Sequence, residues 1–201
     1  MLTINIRVAK IICGKNIKCR FWHTGTENHI RIGENMQNRV FQLLVDNNAG
    51  VLSRITGLFS RRGYNIESIT AGVTADPKYT RITIVTSGEE DILDQIEKQV
   101  AKLVDVRDVR ELKPEKSVYR ELCLVKVRST PEKRQGVIAV ADIFRAKIID
   151  VNVDSLIVEI TGNQTKIEAF IGLLQDYEIL EVARTGIVGL GRGTEDVIFL
   201  D

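Results

Sequence analysis

Residues 41–68 read FQLLVDNNAGVLSRITGLFSRRGYNIES, in the order strand, polar turn, helix, glycine stop and strand. Phe41 to Asp46 is an apolar run of strand length. Asn47, Asn48, Ala49 and Gly50 break it. Asparagine tolerates left-handed backbone and its side chain bonds nearby amides, so a turn is favoured there. From Val51 the period becomes helical, with Val51, Leu52, Ile55, Leu58 and Phe59 on one face and Arg54, Arg61 and Arg62 off it. Gly63 ends the helix, and the two arginines before it suit the negative end of the dipole. Ile66 and Ser68 open the next strand.

The turn carries the chemistry. A helix start leaves backbone N–H groups without partners, and these attract a carboxylate or an amide oxygen. Gly50 has no Cβ, so a ligand can come close to the backbone there. Asn47 and Asn65 can add side-chain donors and acceptors beside it. The pattern fits two uses. Asn47 or Asn48 caps the helix, the commoner role of such residues, or the turn cradles a small ligand.

Outward from this stretch, Ile66 to Ala75 is an extended run turned by Asp76 and Pro77. Arg81 to Thr86 alternates, with Ile82 and Ile84 on one face and Thr83 on the other, so the two runs form a hairpin. Ser87 and Gly88 break the second run. Glu89, Glu90 and Asp91 then put acids at the positive end of a helix striped by Ile92, Leu93, Ile96, Val100 and Leu103. Asp94 and Lys98 are placed to pair on its wet face. Val104, Val106 and Val109 make a closing strand. This βαββαβ order predicts an α+β fold, a ferredoxin-like domain over residues 37–112 with two helices on one face of an antiparallel sheet. Such a sheet leaves one face and two edges uncovered. Unpaired N–H and C=O groups on the second strand invite a two-fold partner.

Lys113 to Ser117 is a short polar joint, and the same order then repeats over residues 118–185. Leu122 to Val127 is a strand in which Cys123 reads as a small buried hydrophobe. Ser129, Thr130 and Pro131 open a helix with Val137, Val140, Ala141 and Phe144 on its apolar face. Ile148 to Val153 is a strand, and Leu156, Val158 and Ile160 alternate as another. Asn163 caps a helix striped by Ile167, Phe170, Ile171 and Leu174, and Ile179, Leu180 and Val182 close the unit. The offset of about 75 to 80 residues marks an internal repeat. Residues 186–201 form a tail. Its GIVGLGRG has the glycines of a dinucleotide loop but no strand-to-helix setting and no suitably spaced acid, so a flexible or docking tail is expected.

The chain has 201 residues, 44% hydrophobic and 27% charged, with 28 Lys+Arg against 27 Asp+Glu. A packed core is available, and the near-zero net charge gives no support to nucleic-acid binding as the main task. No apolar run reaches the roughly 18 residues of a membrane span. Three scattered cysteines form no disulfide framework, so the reducing cytoplasm is the expected compartment. Residues 1–36 differ in character from the rest and form an N-terminal extension, expected to be disordered, an add-on, or a start-site artefact with Met36 as the natural start. Cys13, Cys19, His23 and His29 lie there, in a spacing that fits no common zinc pattern, so no metal site is expected. Both histidines fall in that segment, and no phosphate loop, nucleophile elbow or zinc signature appears. A binding module fits better than an enzyme, and no catalytic residues are expected.

DNNAGVLSRITGLFSRRGYNIESITAG, residues 46–72, resembles the first half of an ACT domain, the small amino-acid-sensing module. Together with QIEKQVAKLVDV at 95–106, IFRAKIIDV at 143–151 and EVARTGIVGLGRG at 181–193, it resembles the small regulatory subunits of acetolactate synthase (acetohydroxyacid synthase). The resemblance spans about residues 37 to 195, in the family's order and spacing. It implies an N-terminal ACT domain, a C-terminal ACT-like domain and a homodimer through the ACT domains. It further implies a catalytic large-subunit partner carrying thiamine diphosphate, Mg²⁺ and FAD, with no cofactor in this chain. The role implied is to activate that partner and confer feedback inhibition by valine in branched-chain amino-acid biosynthesis. Asn47, Gly50 and Asn65 occupy the family's effector positions. Asn48 and Ala49 then supply backbone to the valine carboxylate, and Ile66 supports the apolar side chain. The alternative is a free-standing amino-acid sensor acting on another protein. Such a sensor would bind an amino acid without changing acetolactate synthesis.

Overall fold

The structure is a computed structural model and describes residues 37–194. The readings of residues 1–36, with Cys13, Cys19, His23 and His29, and of residues 195–201 lie outside the described residues. The first unit runs β1 (Gln37–Asp46), α1 (Val51–Arg62), β2 (Asn65–Val73), β3 (Tyr79–Gly88), α2 (Glu90–Val100) and β4 (Val106–Glu111). A 3-10 turn at Pro114–Lys116 leads to the second unit: β5 (Ser117–Arg128), α3 (Pro131–Ile143), β6 (Lys147–Val151), β7 (Ser155–Gly162), α4 (Gln164–Leu173) and β8 (Ile179–Arg184). A short β9 (Val188–Gly191) follows. The two units are consecutive βαββαβ folds with strand orders β2-β3-β1-β4 and β6-β7-β5-β8, every pair antiparallel.

Each core follows from the period of its elements. Alternation on β1 and β3 sends Phe41, Leu43, Val45, Ile82 and Ile84 to one face, where Ile55, Phe59, Leu93 and Ile96 of the helices cover them. The second unit repeats this with Cys123, Val125, Val127, Leu156, Val158 and Ile160 under Val137, Ala141, Ile167 and Phe170. Cys123 is fully buried, and that burial pushes its thiol pKa up, away from a reactive thiolate. Asn163 caps α4, its Oδ1 accepting from the Lys166 N–H at 3.0 Å.

Several strand ends extend beyond their apolar runs. β1 starts at Gln37, and Ser87 and Gly88 continue β3 opposite Asn38 and Gln37 rather than breaking it. Ser117 is already strand and buried, although it reads as part of a polar joint. Ladder bonds are made by backbone, so polar residues at a strand end join the sheet without any apolar signal. On α2, Asp94 is bonded by Arg39 of β1 at 2.5 Å. The sequence spacing had pointed to Lys98 for that role.

The face of the first sheet opposite its helices is partly covered, contrary to the open face expected from two helices on one side. The cover is the chain after β8. Gln42 Nε2 donates to the Gly189 carbonyl at 2.7 Å, and Thr70 Oγ1 donates to the Thr185 carbonyl at 2.9 Å. β9 lies on the first part of β5, from Ser117 opposite Gly191 to Arg120 opposite Val188. Gln42, Leu44, Thr83 and Val85 are buried on this face. The tail glycines serve close approach. Gly186 has φ +85, and a Cβ there would meet Thr70 Oγ1 at 3.0 Å; one at Gly189 would meet Leu112 Cδ1 at 2.6 Å. Gly189→Val is expected to lift the segment off the sheet at a cost of about 1–3 kcal/mol. The check is hydrogen exchange, in which amides of β9 and the first part of β5 should lose protection while those of α1 and α2 keep theirs.

Candidate functional site

The turn between β1 and α1 is built by backbone and one asparagine. Gly50 is the N-cap of α1 at φ +84, a left-handed conformation in which L side chains are strained. No side chain caps this helix and no acid stands in its first turn. The cap reading for Asn47 or Asn48 is therefore corrected. Asn47 is engaged elsewhere: its N–H donates to the Lys78 carbonyl at 2.7 Å, its Nδ2 donates to the Pro77 carbonyl at 2.9 Å, and its Oδ1 accepts from Thr80 Oγ1 at 3.1 Å. It latches the turn to the β2–β3 hairpin. Asn48 contributes only its carbonyl, which accepts from the Val51 N–H at 3.4 Å.

Asn47, Asn48, Ala49 and Gly50 are brought together around a recess of ≈ 230 Å³, walled by Val45, Val51, Leu52, Thr80 and Ile82. Two acids flank it, each held by an arginine. Arg107 bonds Asp46 through Nε at 2.7 Å and Nη2 at 2.6 Å, and this pairing lowers the Asp46 carboxyl pKa. Arg54 bonds Asp105 through Nε at 2.6 Å and Nη2 at 2.9 Å. With those charges matched, the helix start presents backbone N–H groups and the positive dipole end, an environment for a carboxylate. Thr80, Asp105 and Arg107 frame the turn and are missed by sequence reasoning, because they reach it from β3, from the turn before β4 and from β4, far off in sequence.

Asn65 and Ile66 are not brought to this turn within one chain. Asn65 opens β2 opposite Ser87, whereas the turn lies beside Tyr79, which faces Asp46. Those positions on β3 are roughly 26 Å apart at strand rise. The Asn65 side chain donates to Glu67 Oε1, and its carbonyl accepts from Thr86 Oγ1. Ile66 is half-buried against the core of the first unit. β2 is an edge of its sheet.

The second unit contains the same turn in altered form. Asp46 N–H donates to the Asp105 carbonyl and Arg128 N–H to the Glu178 carbonyl; Asn47 N–H donates to the Lys78 carbonyl and Ser129 N–H to the Asp154 carbonyl. The contents differ. Pro131 replaces the open first position, the N-cap Thr130 has ordinary φ −71, and Arg134 turns inward to donate to the carbonyls of Asn152 and Val153 at 2.8 and 2.7 Å. The chain's own guanidinium occupies this turn, so the candidate site is confined to the first unit. Among the described residues, no cluster of histidine, cysteine or acid side chains could hold a metal, and no helix is long and apolar enough to cross a membrane.

Two family models match successive parts of the chain. Residues 41–108 match the family model described as an AHAS small subunit-like ACT domain, and residues 120–193 match the model for the small subunit of acetolactate synthase. The chain is 48% identical over 153 residues to a probable acetolactate synthase small subunit of Archaeoglobus fulgidus, covering 76% of this chain and 96% of the relative. It is 47% identical over 156 residues to the acetolactate synthase isozyme 3 small subunit of Escherichia coli, covering 77% and 96%. The crystal structure of the acetolactate synthase small subunit from Thermotoga maritima superposes with a TM-score of 0.72 at 43% identity, covering 78% of this chain and 98% of that one.

Proposed function

The chain belongs to the family of acetolactate synthase small subunits, and from that premise we propose that it regulates a catalytic acetolactate synthase subunit by activating it and conferring inhibition by valine. The chain performs no chemistry itself. Thiamine diphosphate, Mg²⁺ and FAD reside on the catalytic partner, in the cytoplasm. The observation that carries the valine reading is the start of α1: a left-handed glycine N-cap, no side-chain cap, and neighbouring acids each matched by an arginine. The valine carboxylate takes the N–H groups of Asn48 to Gly50, and Asn47 bonds its charged end.

A dimer supplies the remaining residues. β2 is an edge, so two chains can pair antiparallel through it about a two-fold axis. Antiparallel pairing sets the start of one β2 beside the end of the other. That end, Val73 opposite Thr80, adjoins the turn. Asn65 and Ile66 of one copy are thereby carried toward Asn47 and Gly50 of the second, across a distance that no single chain closes. A ligand that bridges two copies favours one dimer arrangement. Inhibition requires that valine bind that arrangement better than the activating one.

The direct test is acetolactate formation by the catalytic subunit from the same source, with and without this chain, across a valine titration. Activation that valine reverses supports the reading. Valine binding by calorimetry with no effect on rate points instead to a free-standing sensor. In the same assay, Asn47→Ala removes a latch of two side-chain hydrogen bonds. At about 1 kcal/mol per bond, the valine concentration for half inhibition is expected to rise about five- to thirtyfold with activation retained. Loss of activation in a folded variant would show that the two effects share this turn.

A further inference from the structure

Thr185 is bonded to both units at once. Its N–H donates to the Leu122 carbonyl at 3.1 Å and its Oγ1 accepts from the Leu122 N–H at 3.2 Å, on β5 of the second sheet. Its own carbonyl accepts from Thr70 Oγ1 at 2.9 Å, on β2 of the first. The residue before it, Arg184, is fixed by both carboxylate oxygens of the buried Glu121. One residue carries both anchors, so no slack separates them. Further on, the Gly189 carbonyl accepts from Gln42 Nε2, and Gln42 Oε1 accepts from Arg81 Nη1 at 3.0 Å. A chain of polar groups thus runs from β3 through β1 to the segment. Its far end is closed by β9 on β5 and by the Arg192 N–H, which donates to the Lys116 carbonyl at 2.7 Å.

The fit against β2 is close. Ser68 stands opposite Val85 and Thr70 opposite Thr83, so both lie on the face away from the helices. They are half-buried, although polar and on an edge strand. Gly186 lies over them. A Cβ there would sit 3.1 Å from Ser68 Cβ and 3.0 Å from Thr70 Oγ1. Small residues on the strand and a glycine above it let backbone approach backbone. β2 is thus held on one face by the core of its own unit and on the other by a segment anchored in the second unit, with its edge left open. The same strand leads to the effector turn. Val73, about 10 Å beyond Thr70 at strand rise, stands opposite Thr80, which bonds Asn47.

We propose that residues 185–191 form a coupling strap: seated on β2, it holds that strand in the position that completes the effector turn, so that strap seating and effector binding reinforce each other. The proposal rests on the valine reading above. Linkage is reciprocal, so the factor that the seated strap adds to valine affinity is the factor that valine adds to seating. A strap that only covers the sheet would leave valine affinity unchanged when it is lifted.

The test uses the full chain alone, with valine binding read by calorimetry. Thr70→Val removes the bond to Thr185 and should raise the Kd for valine about fivefold. Gly189→Val lifts the strap and should raise it about tenfold or more. Both act through one segment, so in the double variant Thr70→Val should add less than about twofold to the effect of Gly189→Val. An unchanged Kd in Gly189→Val, with exchange of the α1 and α2 amides as in the wild type, overturns the proposal. So does a larger further loss in the double variant, which would mean that Thr70 acts through β2 by itself. Reciprocity gives a second readout. Saturating valine should slow amide exchange in β9 of the wild-type chain, and unchanged exchange there overturns the coupling. A wild-type chain that binds no valine overturns the valine reading instead, and exchange of the β2 amides then decides the strap: Gly189→Val should speed it, and unchanged exchange rules out the hold on β2.

Discussion

Gly50→Asp is expected to abolish valine inhibition of the reconstituted enzyme while leaving this chain folded and able to activate. Gly50 sits at φ +84, where aspartate is better tolerated than most L residues because its side chain can bond the local backbone. Folding should therefore survive, with a loss of about 1–2 kcal/mol. The added carboxylate occupies the positive end of α1, the place proposed above for the carboxylate of valine. It removes a helix-start attraction of up to about 2 kcal/mol and replaces it with repulsion between like charges, so the half-inhibitory valine concentration should rise at least about thirtyfold. A Cβ at this position lies 3.2 Å from Arg54 Nη1, so the new carboxylate also competes with Asp105 for that arginine. Gly50→Ala separates strain from charge, since it keeps the left-handed penalty without the carboxylate and should raise the concentration far less. Inhibition of Gly50→Asp at the wild-type valine concentration would place the effector elsewhere in the chain.

The largest expected effect on stability lies in the second unit. Arg184→Met should destabilise it by about 3 kcal/mol, read from urea unfolding. Glu121 is buried at 5% exposure, and Arg184 bonds both its oxygens, Nε to Oε1 at 2.7 Å and Nη2 to Oε2 at 2.7 Å. Removing the guanidinium leaves a carboxylate out of water without a partner, which costs far more than the pair contributes on balance. The partial exposure of Arg184, 29% of its side chain, sets the figure at the low end of the range for such losses. Glu121→Gln/Arg184→Met should recover much of the stability, because the unpaired charge is then gone. A double variant as unstable as the sum of the two single variants would show that the arginine acts through packing. The pair also adjoins the segment that covers the first sheet. Arg184 is the last residue of β8, and the segment that covers the first sheet begins at Thr185. Loss of the pair should loosen that segment along with the strand end.

Much of the fold is legible in the sequence because periodicity records which side of an element meets the core. Val51, Ile55, Leu58 and Phe59 face inward on α1 as their spacing predicts, whereas Leu52, read onto the same face, is 45% exposed at its edge, and Asn163 caps α4. The chain also repeats itself visibly, and the paired hydrogen bonds at Asp46 and Arg128 show the repeat at the level of backbone. The turn at Asn47 to Gly50 is legible as a place where a helix begins. Its use of Asn47 is not, since Pro77 and Thr80 arrive from a hairpin some thirty residues further on. β9 leaves no signal either, for two of its four residues are glycine and its stability comes from backbone bonds to β5.

By itself the sequence determined the elements of the two βαββαβ units, their order, most of their buried faces and the family, because these depend on local spacing and on side-chain type. Tertiary structure alone decided two things: that the tail covers the first sheet, and that Asn65 lies a sheet's length from Gly50. The physical reason is common to both. Register and edge pairing are made by N–H and C=O groups that nearly every residue carries alike, so the side-chain pattern does not encode which of them meet.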